Sequence, residues 1–521
     1  MRPALRIAAP LALAVLAALG PRAASPQAAP NVAELLAAYL HAADDPAAAE
    51  LSRVQSSGTL AGAGLTGAFA TWQDGDRSRE DEALGPRRET TLRLGQRVFF
   101  ANADGNVREF TGIMLRRDRT EQFIDSGDFA KAPERCTARG RVVVGGRATY
   151  ALDVTAPGGE PQTIYLDAQT FLPARVAYDD DDGRTTVDFS DWRSVAGHRF
   201  PYRAVVSDGD HAFDVTQTTE RIDVGGTVDP AVFAPLVART IEMTAPQTIR
   251  VSVRDGHIFV PVTIGAKEYT FLLDSGAQNV LIDSRVARDA GLSAVGALQA
   301  SGAQRTGGLQ LARLDAMRIG NGTLHGVVAT TLDLGRSTEG AFRIDGILGY
   351  PFFAEAVVTI DSAASTMTFG PPGSFEPSGT KLRVETDRAF PEARVRFNGS
   401  IDGAVLVDTG NAAEVLLYKP FVDRHPGLVP PSVTEIRRSY GIGGAATSYS
   451  SSLDRLDLAG FTFYHSETNV MLATRGAFAD RVDAGNVGMG ILRNFVVTFD
   501  LSSNALYLSR GSEFDDGRTR V

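Results

Sequence analysis

Two stretches of this chain follow one plan, and that duplication limits the folds open to it more than any other feature. IGAKEYTFLLDSGAQNVLI and NGSIDGAVLVDTGNAAEVLL each run from a glycine turn through an apolar strand to Asp-Ser-Gly or Asp-Thr-Gly, then into a second apolar strand. Further on, Gly346 to Phe369 (GILGYPFFAEAVVTIDSAASTMTF) aligns without a gap on Gly485 to Leu508 (GNVGMGILRNFVVTFDLSSNALYL). Matched blocks in the same order at nearly one offset mean a repeated unit, with a few residues added between the blocks of the second copy. Duplication sets equivalent residues about a pseudo-twofold axis, so Asp274 and Asp408 are expected to meet there.

A third such tripeptide, Asp125-Ser126-Gly127, tests the signal. Three residues alone are weak evidence. Around Asp125 there is neither a pair of flanking apolar strands nor a later glycine-ended apolar block, so it reads as a turn. Asp274 and Asp408 have both. Their surroundings resemble the pepsin and retropepsin superfamily of aspartic proteases, in which each lobe carries an Asp-Thr/Ser-Gly loop and a later apolar-apolar-Gly segment. Here the loops are Asp274-Ser275-Gly276 and Asp408-Thr409-Gly410, and the later segments are Ile347-Leu348-Gly349 and Asn486-Val487-Gly488.

The resemblance runs from near Ile249 to Glu513 and implies a duplicated, bilobal all-β acid-protease fold, with lobes at 249–375 and 380–513. It implies that Asp274 and Asp408 are the catalytic pair, with Ser275, Gly276, Thr409 and Gly410 as supporting loop residues. Peptide hydrolysis without a metal or covalent nucleophile needs one group to deprotonate water and another to protonate the carbonyl oxygen. Two carboxylates about 3 Å apart serve, because they cannot both ionise and so hold one proton between them; aspartic proteases are the standing example. The expectation is an endopeptidase acting on polypeptides, needing no cofactor and no metal. With both loops in one chain, a monomer suffices. Two features depart from the family pattern. The segment expected to cover the first lobe, LQASGAQRTGGLQLARL, has no Tyr, whereas SYGIGG in the second has Tyr440, and Asn486 interrupts the second apolar-apolar-Gly block.

The chain before this region has another texture. Residues 1–25 carry Arg2 and Arg6 ahead of an apolar run and then small residues, the pattern of a signal peptide. The run is too short for a membrane span. NVAELLAAYLHAAD reads as an amphipathic helix whose Asn31 and Glu34 form a capping box, and Asp45-Pro46 as the start of a second short one. From Gly58 to Phe233, short β-rich runs between turns predict a meandering antiparallel sheet. Helix plus sheet, with LDAQTFLPARV and SDWRSVAGHRFPYR, resembles the outer-membrane lipoprotein-sorting carrier fold over 31–236. That implies an α+β half-barrel and an envelope lipid or lipoprotein as partner. A carrier with a degenerate protease-like module is accordingly the alternative function. The acidic run Asp179 to Asp182 lacks the ligand spacing of a calcium loop and reads as a solvated hairpin tip.

Composition excludes other classes. A net charge of −10 with no basic run argues against nucleic acid. His41, His198, His211, His257, His325, His425 and His465 form no ligand spacing. No GxSxG occurs, and Ser378 to Lys381 matches SxxK only within a Pro/Gly-rich linker. Cys136 is the single cysteine, so stability rests on packed cores in a periplasmic or secreted setting.

Overall fold

The computed structural model describes residues 30–43, 49–181, 183–301, 305–337, 344–430, 436–441, 444–514 and 519–520. The expected signal peptide and the Asp45-Pro46 helix start lie outside them. The protein is mainly β and divides into two compact units, Met1–Phe100 with Glu109–Leu236, and Ala101–Arg108 with Val237–Val521. No helix among the described residues is long and apolar enough to cross a membrane.

In the first unit, helix Val32–Ala42 starts at the expected capping box: Glu34 N–H donates to Asn31 Oδ1 (3.0 Å) and Asn31 N–H to Glu34 Oε2 (2.9 Å). Its apolar stripe, Leu35, Leu36 and Tyr39, packs with Phe129 of the short helix Asp128–Lys131 and with Leu152, Val154, Ile164 and Leu166 of the antiparallel sheet. That sheet is a meander of thirteen strands in which Arg53–Gly62 also pairs with Val215–Val224, bringing the first and last strands together.

Helix Gly112–Asp125 was not expected, because its buried positions include Arg117, Asp118 and Thr120 rather than an apolar stripe. Ion pairs act beside the apolar contacts of Ile113, Met114 and Ile124. Arg93 bonds to Asp118, and Arg117 Nη1 donates to Asp180 (3.1 Å) and Asp181 (3.0 Å). The acidic tip is therefore a charge-paired turn rather than a merely solvated one, with Arg184 also donating to Asp179 (3.0 Å). Asp125-Ser126-Gly127 closes this helix.

In the second unit, one strand order occurs twice. The first copy reads His257–Ile264, Lys267–Leu273, Gly346–Leu348, Leu281–Asp283, Gly322–Leu332, Arg305–Ile319, Ala294–Ser301. The second reads Glu392–Phe397, Ile401–Val407, Gly485–Val487, Val415–Tyr418, Phe461–Met471, Gly444–Leu458, Ile436–Gly441. The last two strands of each copy pair antiparallel, with Tyr440 at the register position opposite Ala445, and the tips of both expected covering segments lie outside the described residues.

A row of strands joins the copies: Gln247–Arg250, Thr366–Gly370, Val357–Asp361, Phe495–Asp500, Ala505–Arg510, Thr380–Glu385. At its centre Thr359 pairs with its own equivalent, Thr498, and their hydroxyls are 2.8 Å apart. The pseudo-twofold axis passes between them. One apolar core runs through both copies, and Phe353 of the first meets Phe499 of the second with ring centroids 4.9 Å apart. The stretch ahead of the repeat is held to the first copy. Ile241 is buried, and Glu242 bridges Thr323.

Candidate active site

Both Asp-Ser/Thr-Gly loops leave the C-terminal end of an apolar strand, Lys267–Leu273 or Ile401–Val407, and turn at once. The later glycine-ended blocks catch them there. Asp274 N–H donates to Leu348 O (3.1 Å) and Asp408 N–H to Val487 O (2.9 Å). Within each loop the backbone folds back on itself, Ala277 N–H to Asp274 O and Asn411 N–H to Asp408 O, both 3.3 Å. Each carboxylate Oδ1 accepts from its own glycine, Gly276 or Gly410, at 2.9 Å.

The loops then grip one another. Ser275 N–H donates to Thr409 Oγ1 and Thr409 N–H to Ser275 Oγ, both at 3.0 Å. Each hydroxyl passes its own proton on across the axis, Ser275 Oγ to Val407 O (2.6 Å) and Thr409 Oγ1 to Leu273 O (2.9 Å). These four bonds are fully buried, where leaving a donor or acceptor unmatched would cost about 1–3 kcal/mol.

Glycine is required beside each aspartate for want of space. A Cβ on Gly410 would stand 2.4 Å from Asp274 Cγ, and one on Gly276 would stand 2.8 Å from Asp408 Cγ. The two carboxyls are close enough to shift each other's proton affinity. Burial raises the proton affinity of both above the ordinary Asp range, and for Asp408 the neighbouring Asp274 charge adds to it. Two carboxyls this close titrate as a pair.

Several groups that sequence reasoning passed over adjoin the pair. Asn486, which reads as a flaw in the second apolar block, donates from Nδ2 to Asp408 Oδ2 (3.0 Å). Asn411, next after Gly410, donates from Nδ2 to Asn486 Oδ1 (2.6 Å). The imidazole of His257 is hydrogen-bonded to the Gly410 backbone, and burial lowers its pKa. Behind the second loop, Arg388 is 1% exposed and binds Asp480 (2.8 Å), Glu392 and Asp483. Its carbonyl accepts from Gln278 Nε2 of the first loop (2.7 Å). Tyr418, facing Asp480, Asp483 and Asp408, is held protonated by burial and by those charges. Glu385, Asp387 and Glu392 bring oxygens within 4.8 Å of one another, but Glu392 is already paired with Arg388.

Comparison with known proteins gives a family described as aspartyl protease, matching residues 260–352. Among solved structures, a retropepsin-like aspartic protease from Rickettsia conorii is 16% identical, with 26% of this chain and 95% of that one covered and a TM-score of 0.18. A LolA superfamily protein from Nitrosomonas europaea is 13% identical, covering 38% and 97%, with a TM-score of 0.27. A DUF1329 family protein from Desulfovibrio piger is 16% identical, covering 39% and 97%, with a TM-score of 0.29. The search of curated proteins gives no match.

Proposed function

We propose that the second unit is an aspartic endopeptidase with Asp274 and Asp408 as its dyad and lobes spanning 249–375 and 380–513. The observation that carries this reading is the pair of half-buried carboxyls set against each other by two interlocked loops, each packed on the opposite loop's glycine. An acid pair kept in such a place lowers stability, and groups of this kind mark function more often than architecture. The match of residues 260–352 to an aspartyl protease family supports it further.

In this reading a water lies between the two carboxyls. The ionised aspartate takes one proton from it while the oxygen attacks the peptide carbonyl carbon. The protonated partner gives its proton to the carbonyl oxygen, leaving a neutral gem-diol. As that collapses, a diol proton returns to the dyad, the C–N bond breaks and the amide nitrogen is protonated. The products are a carboxylic acid and an amine, and the dyad again holds one proton. The reaction draws on the pair and water alone, and one chain supplies both carboxyls, so the enzyme acts as a monomer.

The substrate class is exported polypeptide in the periplasm or outside the cell, with the first unit presenting substrate or holding the enzyme near an envelope component. As a lipid carrier, the first unit would need an apolar lining to its sheet. That sheet carries apolar residues, Leu152, Val154, Ile164 and Leu166, beside the Arg93–Asp118 and Arg117–Asp180 pairs of helix Gly112–Asp125. The test is a peptide-library digest by the wild type, Asp274→Asn and Asp408→Asn across pH. Cleavage by the wild type alone is expected, and equal cleavage by all three removes the proteolytic assignment.

A further inference from the structure

The two loops match almost residue for residue, yet their aspartates are not equally solvated by the protein. In the first copy the residue after the glycine is Ala277 and the later block begins with Ile347. In the second, these positions are Asn411 and Asn486. Both departures occur in one copy, and they touch each other.

The chain of bonds they form has one direction. Ala413 N–H, which can only donate, binds Asn411 Oδ1 (3.0 Å). That fixes the Asn411 amide so that its Nδ2 donates to Asn486 Oδ1 (2.6 Å), leaving the Asn486 Nδ2 to donate to Asp408 Oδ2 (3.0 Å). Asn486 is 2% exposed, so water does not compete for its amide. Asp408 thus accepts on both oxygens, Oδ1 from Gly410 N–H and Oδ2 from Asn486. Asp274 has the matching glycine bond, but apolar Ile347 stands where Asn486 would be. Donors aimed at a carboxylate favour its charged form.

We propose that Asn411 and Asn486 are positioning residues that bias the shared proton away from Asp408 and onto Asp274, making Asp408 the base toward water. This rests on the dyad reading above, and it sets the Asn486 donor on Asp408 against the Asp274 charge, which by itself raises the proton affinity of Asp408. It also assigns distinct roles to two loops that the repeat makes look interchangeable.

The other titratable groups around Asp408 are Asp274 from the first loop, Tyr418 from the end of Val415–Tyr418, and the His257 ring against the Gly410 backbone. Behind Tyr418 stand Asp480, Asp483 and Arg388. All are retained in the variants to be compared, so their contributions cancel in the difference. Asn486→Ile copies the first lobe, and Asn411→Ala removes the fixed end of the relay while leaving Asn486 in place. The full-length wild type and both variants are labelled with ¹³C at aspartate carboxyls. The pair's titration is followed by NMR with Asp408→Asn for assignment, and kcat/KM for peptide cleavage is measured over the same pH range.

Loss of the amide should raise the first macroscopic pKa of the pair by about one unit in Asn486→Ile and by less in Asn411→Ala, moving the acid limb of the rate profile with it. An unchanged or lowered first pKa in Asn486→Ile overturns the proposal, and so does an unchanged one in Asn411→Ala should Asn486→Ile not fold. A wild type that cleaves no peptide while its carboxyl titration shifts as expected removes the proteolytic reading and leaves the proton placement standing.

Discussion

Gly410 lacks a side chain because the Asp274 carboxyl fills the space one would occupy, 2.4 Å from any Cβ built there. Gly410→Ala should push the carboxyls apart by a fraction of an ångström without altering the fold. Catalysis depends steeply on such placement, so a fall of about 100-fold in kcat/KM is expected with unchanged circular dichroism. Cleavage at the wild-type rate would mean that the pair does not work from the geometry described. At this scale the repeat made Asp274, Asp408 and their loop neighbours legible, because a short motif and its flanking strands recur in order. Asn411 and Asn486 were not legible. They touch through side chains 75 positions apart, and no periodicity records such a bond. His257 was equally silent, since its partner is a backbone group rather than another motif.

Among the elements, helix Tyr350–Glu355 ends in a buried carboxyl. Asn106 Nδ2 of the segment Ala101–Arg108 donates to Glu355 Oε1 (3.2 Å), Asp104 and Arg239 stand nearby, and burial pushes the Glu355 pKa up to about 7. The fold therefore prefers the protonated acid. It incurs no penalty below the ordinary carboxyl range and loses stability as pH rises from about 4.5 to 7. Glu355→Gln copies the protonated form. Its Tm should equal that of the wild type at pH 4 and exceed it at pH 8, by up to roughly 3 kcal/mol in stability. Lower stability than the wild type at both pH values would show that the carboxylate itself is needed. Segment Ala101–Arg108 also caps Val328 N–H through Asp104 (2.7 Å) and binds the Asp387 carbonyl through Arg108 (2.8 Å). Sequence reading assigned this stretch to the β meander around it, because a few polar residues between strands look alike whichever surface they join. The helix Gly112–Asp125 escaped notice for a related reason. Its inward positions are matched by distant charges rather than by apolar spacing. The capped first helix and both copies of the repeated sheet were legible because their signals are local: a cap, an alternation, a turn.

Taken whole, the second unit has an apolar core that runs through both copies and a central row of strands that joins them. Phe353 and Phe499 meet across it, and Thr359 bonds its own counterpart. Phe353→Ala should cost about 3–5 kcal/mol. Amide exchange should then lose protection in Phe495–Arg510 as much as in Val357–Gly370, because opening one copy exposes the other. Protection lost in the first copy alone would show that the halves unfold separately. Covalent joining has a further consequence for the amide on Asp408. Two identical chains related by a true axis would have to mirror every substitution, so a donor placed on one carboxylate would appear on both. A fused pair escapes that rule, and each half is free to drift toward its own share of the labour.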